Sequence, residues 1–133
     1  MELKEYTQFK SDEILRLYTQ VGWTAYTEDM PALERGYKSS LYILAAYEND
    51  QLIGIIRVVG DGATVILIQD IIVCPERQRQ GIGTALLKAV LDRYSAVRQI
   101  QLTTDNTLET VAFYKSLGFV DFSEIGCCGF MRC

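Results

Sequence analysis

The 133-residue sequence contains no histidine. This absence excludes histidine-based catalytic triads, histidine general bases and the commonest metal ligand of proteins. The sequence also has no run of about 18 apolar residues, so no membrane-spanning helix is predicted. Residues 1–6 lack a basic stretch followed by an apolar one, so no secretion signal is predicted and a cytoplasmic location is expected. Acid–base chemistry must therefore use carboxylates, tyrosine, cysteine, water or the backbone.

Positive charge is also scarce, because 13 lysines and arginines stand against 17 aspartates and glutamates. The net charge of −4 argues against nucleic-acid binding, which needs a basic surface. The acidity is typical of a soluble protein and is only weakly indicative of a cationic substrate. Hydrophobic residues make up 49% of the sequence and charged residues 23%, which are ordinary values for a globular protein. The length predicts one domain over residues 1–133.

Only four cysteines are present, and none belongs to a C-x-x-C pair. In a chain without a secretion signal, this predicts free thiols rather than disulfides. Three of them lie near the C-terminus: Cys127, Cys128 and Cys133. A metal or redox site is the alternative to burial in a terminal strand, and burial is favoured because free cysteine behaves as a small hydrophobe. No metal site is predicted.

The spacing of apolar residues predicts a mixed α/β fold, with a mixed central sheet of about six to seven strands and about four helices. A strand, a loop, a helix and a further strand in the middle of the chain predict a right-handed parallel crossover unit. The predicted strands cover 1–6, 41–47, 51–59, 64–74, 100–104, 119–123 and 127–132. The predicted helices cover 11–20, 28–38, 84–94 and 108–117.

The longest apolar strand, 64–74, is interrupted by two polar residues, Gln69 and Asp70. The rest of this strand shows too little alternation for a surface position, so it is predicted to be central and covered on both faces. A polar pair inside a buried strand indicates a β-bulge, a functional site, or both. Burial raises the pKa of a carboxyl group, which makes Asp70 a candidate general base. The alternative is a carboxylate that only bonds the backbone at a bulge.

The loop that follows this strand contains two glycines, Gly81 and Gly83, ahead of a helix. Backbone amides at the start of a helix lack intrahelical partners and form an anion site. The loop is neither a Walker A motif nor a dinucleotide fingerprint, because the lysine of the first and the third glycine of the second are missing. A tight turn that only packs the helix on the strand, and a nucleotide-phosphate site, are the alternatives. Arg77 and Arg79 are expected to assist an anion by charge.

Two segments of the sequence carry recognisable signatures. Residues 73–87 read VCPERQRQGIGTALL, with the pattern Gln/Arg-x-x-Gly-x-Gly/Ala between a buried strand and a Leu-rich helix, and residues 113–119 read FYKSLGF. The first segment is similar to the acetyl-CoA motif of the GCN5-related N-acetyltransferase (GNAT) family, and the second is similar to the second signature of that family. Their order and spacing also agree with the family. The resemblance implies a GNAT-like sheet with splayed central parallel strands.

The resemblance further implies how acetyl-CoA is held as the acetyl donor. Pantetheine is expected between the splayed strands, paired with the backbone of Ile71, Ile72 and Val73. The pyrophosphate is expected on the loop amides, which belong to Arg79, Gln80, Gly81, Ile82, Gly83 and Thr84. The family often places a CoA-contacting asparagine about seven residues before its signature tyrosine. That position is Thr107 here, and Asn106 precedes it.

Tyr114 aligns with the family tyrosine that protonates the departing CoA thiolate. A phenol suits this role, and packing as a core aromatic is the alternative. The family base is not fixed in sequence, so Asp70, Asp105 and water remain open. A covalent route through Cys74 is not favoured, because nothing in its sequence context indicates an activated thiol.

The acceptor is predicted to be a primary amine of a small molecule or peptide. Trp23 and Tyr26 are candidates for shaping its pocket, together with Glu28 and Asp29. The alternative, which is favoured, is that the two aromatic residues only pack and the two acids are solvated. A non-catalytic acyl-CoA-binding module of the same fold is the rival to an enzyme. The resemblance is also compatible with a homodimer built through the C-terminal strands.

Overall fold

The structure is a computed structural model that describes residues 1–133. The chain divides into two compact units, residues 1–102 and residues 103–133. The larger unit carries the sheet and four helices, and the smaller one carries a single α-helix. None of the helices is both long and apolar enough to cross a membrane.

The larger unit is built on a five-stranded sheet whose strands follow one another in chain order. The first three pairings are antiparallel and the last is parallel. The strands are β1 (Glu2–Glu5), β2 (Tyr42–Glu48), β3 (Gln51–Gly60), β4 (Val65–Val73) and β5 (Gln99–Leu102). β2 and β3 form a hairpin that turns at Asn49 and Asp50, which both have positive φ. The mixed α/β class and the parallel crossover are also as predicted.

Four α-helices accompany this sheet: α1 (Ser11–Gln20), α2 (Thr24–Thr27), α3 (Met30–Lys38) and α4 (Ile82–Arg93). The bounds of α1 agree with the predicted ones. The helix predicted over 28–38 begins at Met30, because the Asp29 side chain caps it by accepting a hydrogen bond from the Ala32 amide. Thr24–Thr27 forms one helical turn where no helix was predicted.

The two faces of the sheet are covered by different helices. On one face α4 approaches closely, since a Cβ at Gly54 would lie 3.1 Å from Ile82 and 3.3 Å from Leu86. On the other face α1 contacts β3 and β4, and its side chains Ile14, Leu17 and Tyr18 are fully buried. The burial of β4 between helices confirms the interpretation of residues 64–74 as a central strand.

A β-bulge interrupts the pairing of β3 with β4. Arg57 lies opposite Asp70 and Val58 lies opposite Ile68, so Gln69 is the extra residue. The polar pair in the apolar strand thus marks a bulge, as predicted. Since directly opposed residues of an antiparallel pair share a face, Arg57 and Asp70 project to the same side of the sheet. A bulge also re-aims the side chains that follow it.

The smaller unit contains α5 (Leu108–Ser116) and a short 3-10 turn at Phe122–Ile125. The two strands predicted at 119–123 and 127–132 are absent, which is why the sheet has five strands rather than six or seven. Asp121 explains the first error, because its side chain accepts hydrogen bonds from the amide and hydroxyl of Ser123 and starts a turn. The Cys127 amide then bonds the Phe122 carbonyl and closes it.

The C-terminal residues beyond this turn are exposed rather than buried. Phe130 is 95% exposed and Met131 76%, so the apolar letters of this segment do not mark a core strand. Cys127, Cys128 and Cys133 are exposed free thiols, and their predicted burial in a terminal strand is therefore wrong. Only Cys74, at the end of β4, is a buried thiol.

Candidate active site

The parallel pairing between β4 and β5 is short and leaves half of β4 open. It runs from Val65 opposite Gln99 to Ile68 opposite Leu102 and ends there. β4 continues to Val73 with β3 as its only strand neighbour. The backbone groups on the far side of residues 69–73 therefore have no strand partner, which is the splay expected of the fold. An extended amide-containing ligand can pair with such an edge.

The open half of β4 leads directly into the glycine loop. A 3-10 turn at Pro75–Arg77 is followed by Arg79 with φ +65°, Gly81 with φ +85°, and the first residue of α4, Ile82. No side chain caps the N-terminus of α4. The amides of its first turn therefore keep their hydrogen atoms available, and the helix dipole adds a partial positive charge. Left-handed residues beside these amides form a concavity suited to an anion.

Two glutamines within the loop stabilise its conformation through hydrogen bonds to backbone carbonyl groups. Gln78 Nε2 donates to the Val73 carbonyl oxygen at 3.0 Å, and Gln80 Nε2 donates to the Glu76 carbonyl oxygen at 3.3 Å. The loop conformation thus has side-chain support of its own. One backbone acceptor at the end of the predicted pantetheine segment, that of Val73, already has a donor.

Arg77 has a partner other than the anion expected for it. Its guanidinium forms an ion pair with both carboxylate oxygens of Glu48 at the β2–β3 hairpin. The hydrogen bond between the two side chains lowers the pKa of Glu48 and raises the pKa of Arg77. This pair ties the loop to the β2–β3 hairpin of the sheet and occupies the Arg77 side chain.

A buried carboxylate lies beside the bulge. Asp70 is 1% exposed, and its Oδ2 accepts hydrogen bonds from Arg57 Nε at 2.6 Å and from the Tyr18 hydroxyl at 2.8 Å. Its other oxygen, Oδ1, is buried and has no hydrogen-bond partner. Both donors therefore hold one oxygen and leave the second with its full accepting capacity.

A second layer of contacts fixes these two donors. The Tyr18 and Tyr37 hydroxyls lie 2.8 Å apart, and since the Tyr18 proton goes to Asp70, Tyr37 donates to Tyr18. Arg57 lies over the Tyr37 ring at 5.2 Å and donates to the Ser40 hydroxyl at 3.3 Å. Burial raises the pKa of Tyr18 and of Tyr37 well above the usual range, so both remain protonated donors. The carboxylate is thus held in one orientation.

Sequence reasoning singled out Asp70 but missed Arg57 and Tyr18, which bond to it, and Tyr37, which bonds to Tyr18. Tyr18 and Tyr37 lie among the apolar residues of two helices, and neither carries a signal of its own. Arg57 did carry one, because it interrupts an apolar strand just as Asp70 does, in the strand that precedes it. Two opposite charges in consecutive buried strands indicate a cross-strand pair.

Trp23 and Tyr26 border the same cluster. The Tyr26 hydroxyl accepts a hydrogen bond from Gln69 Nε2 at 3.0 Å, and its ring lies 5.3 Å from that of Tyr18. Trp23 is 37% exposed and lies 6.1 Å from Tyr26 and 6.2 Å from Tyr18 between ring centres. Burial raises the pKa of Tyr26, the hydrogen bond with Gln69 lowers it, and both the charge of Asp70 and a hydrogen bond with Asp70 raise it further. The bulge thus brings both of its polar residues to the aromatic group on α1 and α2.

The acidic residues after α2 are less closely involved. Glu28 and Asp29 are both exposed, and Asp29 uses Oδ1 to cap α3. Their role in an acceptor pocket stays a prediction. The Asp29 side chain already has a structural role, because it caps α3.

Tyr114 is buried in the smaller unit. It is 9% exposed, and its ring contacts those of Phe113 at 5.0 Å and Phe119 at 5.8 Å in edge arrangements. Burial raises the pKa of its phenol, and a hydrogen bond with Thr104 lowers it in part. The hydroxyl therefore carries its proton at neutral pH and can act as a donor.

The other predicted residues of this unit are exposed. Thr107 caps α5, since its hydroxyl oxygen accepts from the Thr110 amide at 3.2 Å. Asn106 and Asp105 lie in the exposed segment before this cap. The cap occupies the Thr107 side chain, so Asn106 has the more available polar group of the two.

The Cys74 thiol is a poor nucleophile in this setting. It is buried at the end of β4, and burial raises its pKa, as does the nearby Glu76 charge. A thiol that keeps its proton is a poor nucleophile, which agrees with the expectation that the reaction does not proceed through a covalent Cys74 intermediate.

Comparison with known proteins identifies the fold and the family. A family model described as an acetyltransferase (GNAT) domain matches residues 8–128. A GNAT family acetyltransferase from Streptococcus pneumoniae TIGR4 superposes with a TM-score of 0.90 at 39% identity, covering 99% of this chain and 96% of that one. An aminoglycoside 6'-N-acetyltransferase solved with coenzyme A has a TM-score of 0.70 at 20% identity, with 89% and 84% covered, and shows the same fold.

A curated relative, the uncharacterized N-acetyltransferase ycf52 of Pyropia yezoensis, is 25% identical over 115 residues, which are 81% of this chain. The chain spans 63% of the length of that relative. The family model covers nearly all of the chain, and the open β4 edge with its uncapped helix fits the same assignment. The chain belongs to the GNAT family of acetyltransferases.

Proposed function

We propose that the protein transfers the acetyl group of acetyl-CoA to a primary amine, by direct attack of the amine within a ternary complex. The observation that carries the proposal is the continuous path from the open edge of β4 to the uncapped N-terminus of α4. An extended amide chain fits the first part and a pyrophosphate fits the second. A protein of the same fold, the aminoglycoside 6'-N-acetyltransferase, was solved in complex with coenzyme A, which supports the proposal.

The cofactor contacts follow the predicted residues. The pantetheine arm lies along Ile71–Val73, and the pyrophosphate accepts hydrogen bonds from the amides of Arg79–Thr84. Gly81 supports this role, because its φ of +85° suits glycine and a Cβ there would meet no atom within 4 Å. The space over the loop is therefore open to a ligand. Asn106 and Thr107 remain candidates for an additional contact with CoA.

The proposed chemistry needs one proton donor and one acceptor from the chain. Acetyl-CoA supplies the thioester that the amine attacks. Tyr114 donates its phenolic proton to the departing sulfur, which its buried and protonated hydroxyl allows. Asp70 receives a proton from the attacking nitrogen on Oδ1, the one buried oxygen without a donor. Asp105 is the weaker candidate for this step, because it is exposed.

The test is a free-thiol release assay with acetyl-CoA and a panel of primary amines, combined with thermal melts. Thiol release that depends on both acetyl-CoA and an amine is the expected result. Stabilisation by acetyl-CoA with no turnover on any amine supports a non-catalytic acyl-CoA-binding module instead. Stabilisation by ATP but not by CoA overturns the proposal in favour of a nucleotide-phosphate site.

A further inference from the structure

Asp70 lies too deep in the protein to touch an acceptor directly. Its side chain is 1% exposed, and Arg57 and Tyr18, which bond to it, are buried as well. A general base has to lie within hydrogen-bond reach of the proton that it takes, or act through an intervening group. The proposed role of Asp70 therefore requires a hydrogen-bonding group between the carboxylate and the surface.

Tyr26 on α2 is the residue of this cluster that meets that requirement. Tyr18 and Tyr37 are buried, whereas Tyr26 is half-buried. A hydrogen bond links Tyr26 with Asp70, and burial raises the pKa of the phenol. The Tyr26 hydroxyl therefore keeps its proton at neutral pH and can donate it to the carboxylate.

Gln69 holds the Tyr26 oxygen from the exposed side. Its Nε2 donates to that oxygen at 3.0 Å, in a solvent-exposed hydrogen bond, whereas the bonds of the Tyr18 hydroxyl are buried. Successive residues of a regular strand point to opposite faces, so one side chain could not ordinarily bond with two neighbours. The bulge removes this alternation, and Tyr26 bonds with both Gln69 and Asp70.

The proposed position of acetyl-CoA brings its reactive end to the same place. With the pyrophosphate on the amides of Arg79–Thr84, the pantetheine arm runs back along β4 from Val73 to Ile71. The thioester at the far end of the arm then lies beyond Ile71, at the bulge. An amine that attacks this thioester therefore arrives beside the Gln69 and Tyr26 side chains.

We propose that Tyr26 is a catalytic residue that passes the proton of the attacking amine to Asp70. This inference rests on the proposed acetyl transfer. As the C–N bond forms, the amine N–H bond breaks and its proton joins the Tyr26 oxygen, while the Tyr26 O–H proton moves to Asp70. The C–S bond breaks and the sulfur takes the Tyr114 proton. Asp70 then returns its proton to solvent through Tyr26, and solvent reprotonates Tyr114.

The two proton movements at Tyr26 have to occur together. Burial raises the pKa of this phenol, and the charge of Asp70 raises it further, so a free phenolate is unfavourable. A phenol that receives one proton as it gives up another stays neutral throughout. Tyr26 and Asp70 therefore act as one unit, and removing either one interrupts the same transfer.

The kinetic experiment uses Tyr26→Phe, which keeps the ring beside Tyr18 and Trp23 and removes only the hydroxyl. With saturating acetyl-CoA and amine, we expect kcat to fall by about 10²-fold, within the range of general acid–base catalysis. Tyr42→Phe is the matched control, because this half-buried tyrosine packs against Tyr94 and should retain wild-type kcat. A wild-type kcat in Tyr26→Phe, or a change in the KM for the amine alone, overturns the inference.

A double variant tests whether the two residues act on one proton. Groups that act as a unit have non-additive effects, so Tyr26→Phe should cause no further loss of kcat in the Asp70→Asn background. Losses that multiply contradict the inference. Gln69→Leu covers the case in which Asp70→Asn does not fold. It removes the hydrogen bond that positions Tyr26, so we expect kcat to fall by about tenfold. An unchanged kcat in Gln69→Leu also contradicts the inference.

Infrared spectroscopy gives a readout without turnover. The difference spectrum between a protein and its Asp70→Asn variant isolates the carboxyl absorption of Asp70. We expect this band to shift in the Tyr26→Phe background, because the carboxylate loses a donor, and to keep its position in the Tyr42→Phe background. An unshifted band in Tyr26→Phe contradicts the inference. If the wild-type protein releases thiol with none of a broad amine panel, it is instead the proposed function that fails.

Discussion

Two aspartates, one before β4 and one within it, use their oxygens in opposite ways. Asp61 in the β3–β4 turn is exposed, and its Oδ1 accepts from the amides of Ala63 and Thr64 at 2.8 Å and of Val65 at 3.1 Å. Its Oδ2 accepts from the Thr64 hydroxyl. Asp70 is buried, yet only one of its oxygens has any partner.

This contrast is consistent with a structural role for Asp61 and with the proposed catalytic role of Asp70. Asp61 is saturated by the turn that it organises, although water could have satisfied it at no cost. Asp70 lies where water cannot easily satisfy it, and the chain nevertheless leaves Oδ1 open. An unsaturated acceptor is unfavourable in a buried position unless a ligand completes it. The comparison therefore favours a stabilising role for Asp61 and supports the proposal that Asp70 takes part in the reaction.

The largest effect is expected from Asp70→Asn, with Asp61→Asn as its matched control. Loss of the proton acceptor should lower kcat/KM by about 10³-fold, within the range of general-base removal. The control should retain wild-type kcat/KM, since its side chain contacts only its own turn. Initial rates of thiol release measure both. If kcat/KM fell equally in the two variants, Asp70 would have no role in the reaction beyond that of Asp61.

Asp70→Asn also leaves Arg57 buried without its partner, which costs about 3–5 kcal/mol of stability. The double variant Arg57→Met with Asp70→Leu removes both charges, and replacing a whole buried pair with apolar residues is often near neutral. We expect this double variant to melt near the wild-type temperature and to be inactive. Substantial activity in it would return Asp70 to a structural role.

The second prediction extends the contrast to Tyr114. Tyr114→Phe keeps the ring contacts with Phe113 and Phe119 and removes only the hydroxyl. If this group protonates the leaving sulfur, kcat should fall by about 10²-fold and KM should change little, because the contact is made in the transition state. Steady-state kinetics with varied acetyl-CoA measure both constants. A wild-type kcat would make Tyr114 a core aromatic.

The third prediction compares a glycine in the turn before β4 with a glycine in the loop between β4 and α4. Gly81 and Gly62 both have left-handed backbones, with φ of +85° and +74°. Gly81→Val should raise the KM for acetyl-CoA by about tenfold, since a β-branched residue distorts a left-handed loop. Gly62→Val should lower the melting temperature and leave that KM unchanged. An unchanged KM in Gly81→Val would remove the loop from cofactor binding.

The part of β4 that sequence could predict follows from its pattern. A long apolar run fixed the central strand, and its polar interruption indicated the bulge, because both are local properties of the letters. The glycine loop and helix followed from turn and helix signals in the same way. The expected cofactor-binding residues came from the resemblance of two segments to the family. The spacing of apolar residues alone could not have predicted them.

The network around Asp70 and the C-terminal segment could not be predicted in this way. Tyr18 and Tyr37 look like ordinary core aromatics of α1 and α3. Only the fold brings the Tyr18 hydroxyl to Asp70, which is 52 residues away in sequence, and to Tyr37, which is 19 residues away. At the C-terminus an apolar alternation suggested strands, but Asp121 had the stronger local claim through its side-chain bonds with Ser123. Local side-chain chemistry outweighed the pattern there.

The smallest effect concerns the pH dependence that Asp61 brings to stability. Hydrogen bonds from the Thr64 hydroxyl and three amides lower the pKa of Asp61 below its usual range. A carboxyl whose folded pKa lies below its unfolded value of about 3.9 stabilises the protein above that value, and this contribution is lost as the pH falls through the folded pKa. Asp61→Asn should therefore be less stable than wild type at pH 7, by a gap that narrows toward pH 2. Urea unfolding at pH 7, 5 and 3 measures the gap. A stability difference that stays constant with pH would mean that the turn depends on the shape of the side chain. The charge of the Asp61 carboxylate would then contribute nothing to stability.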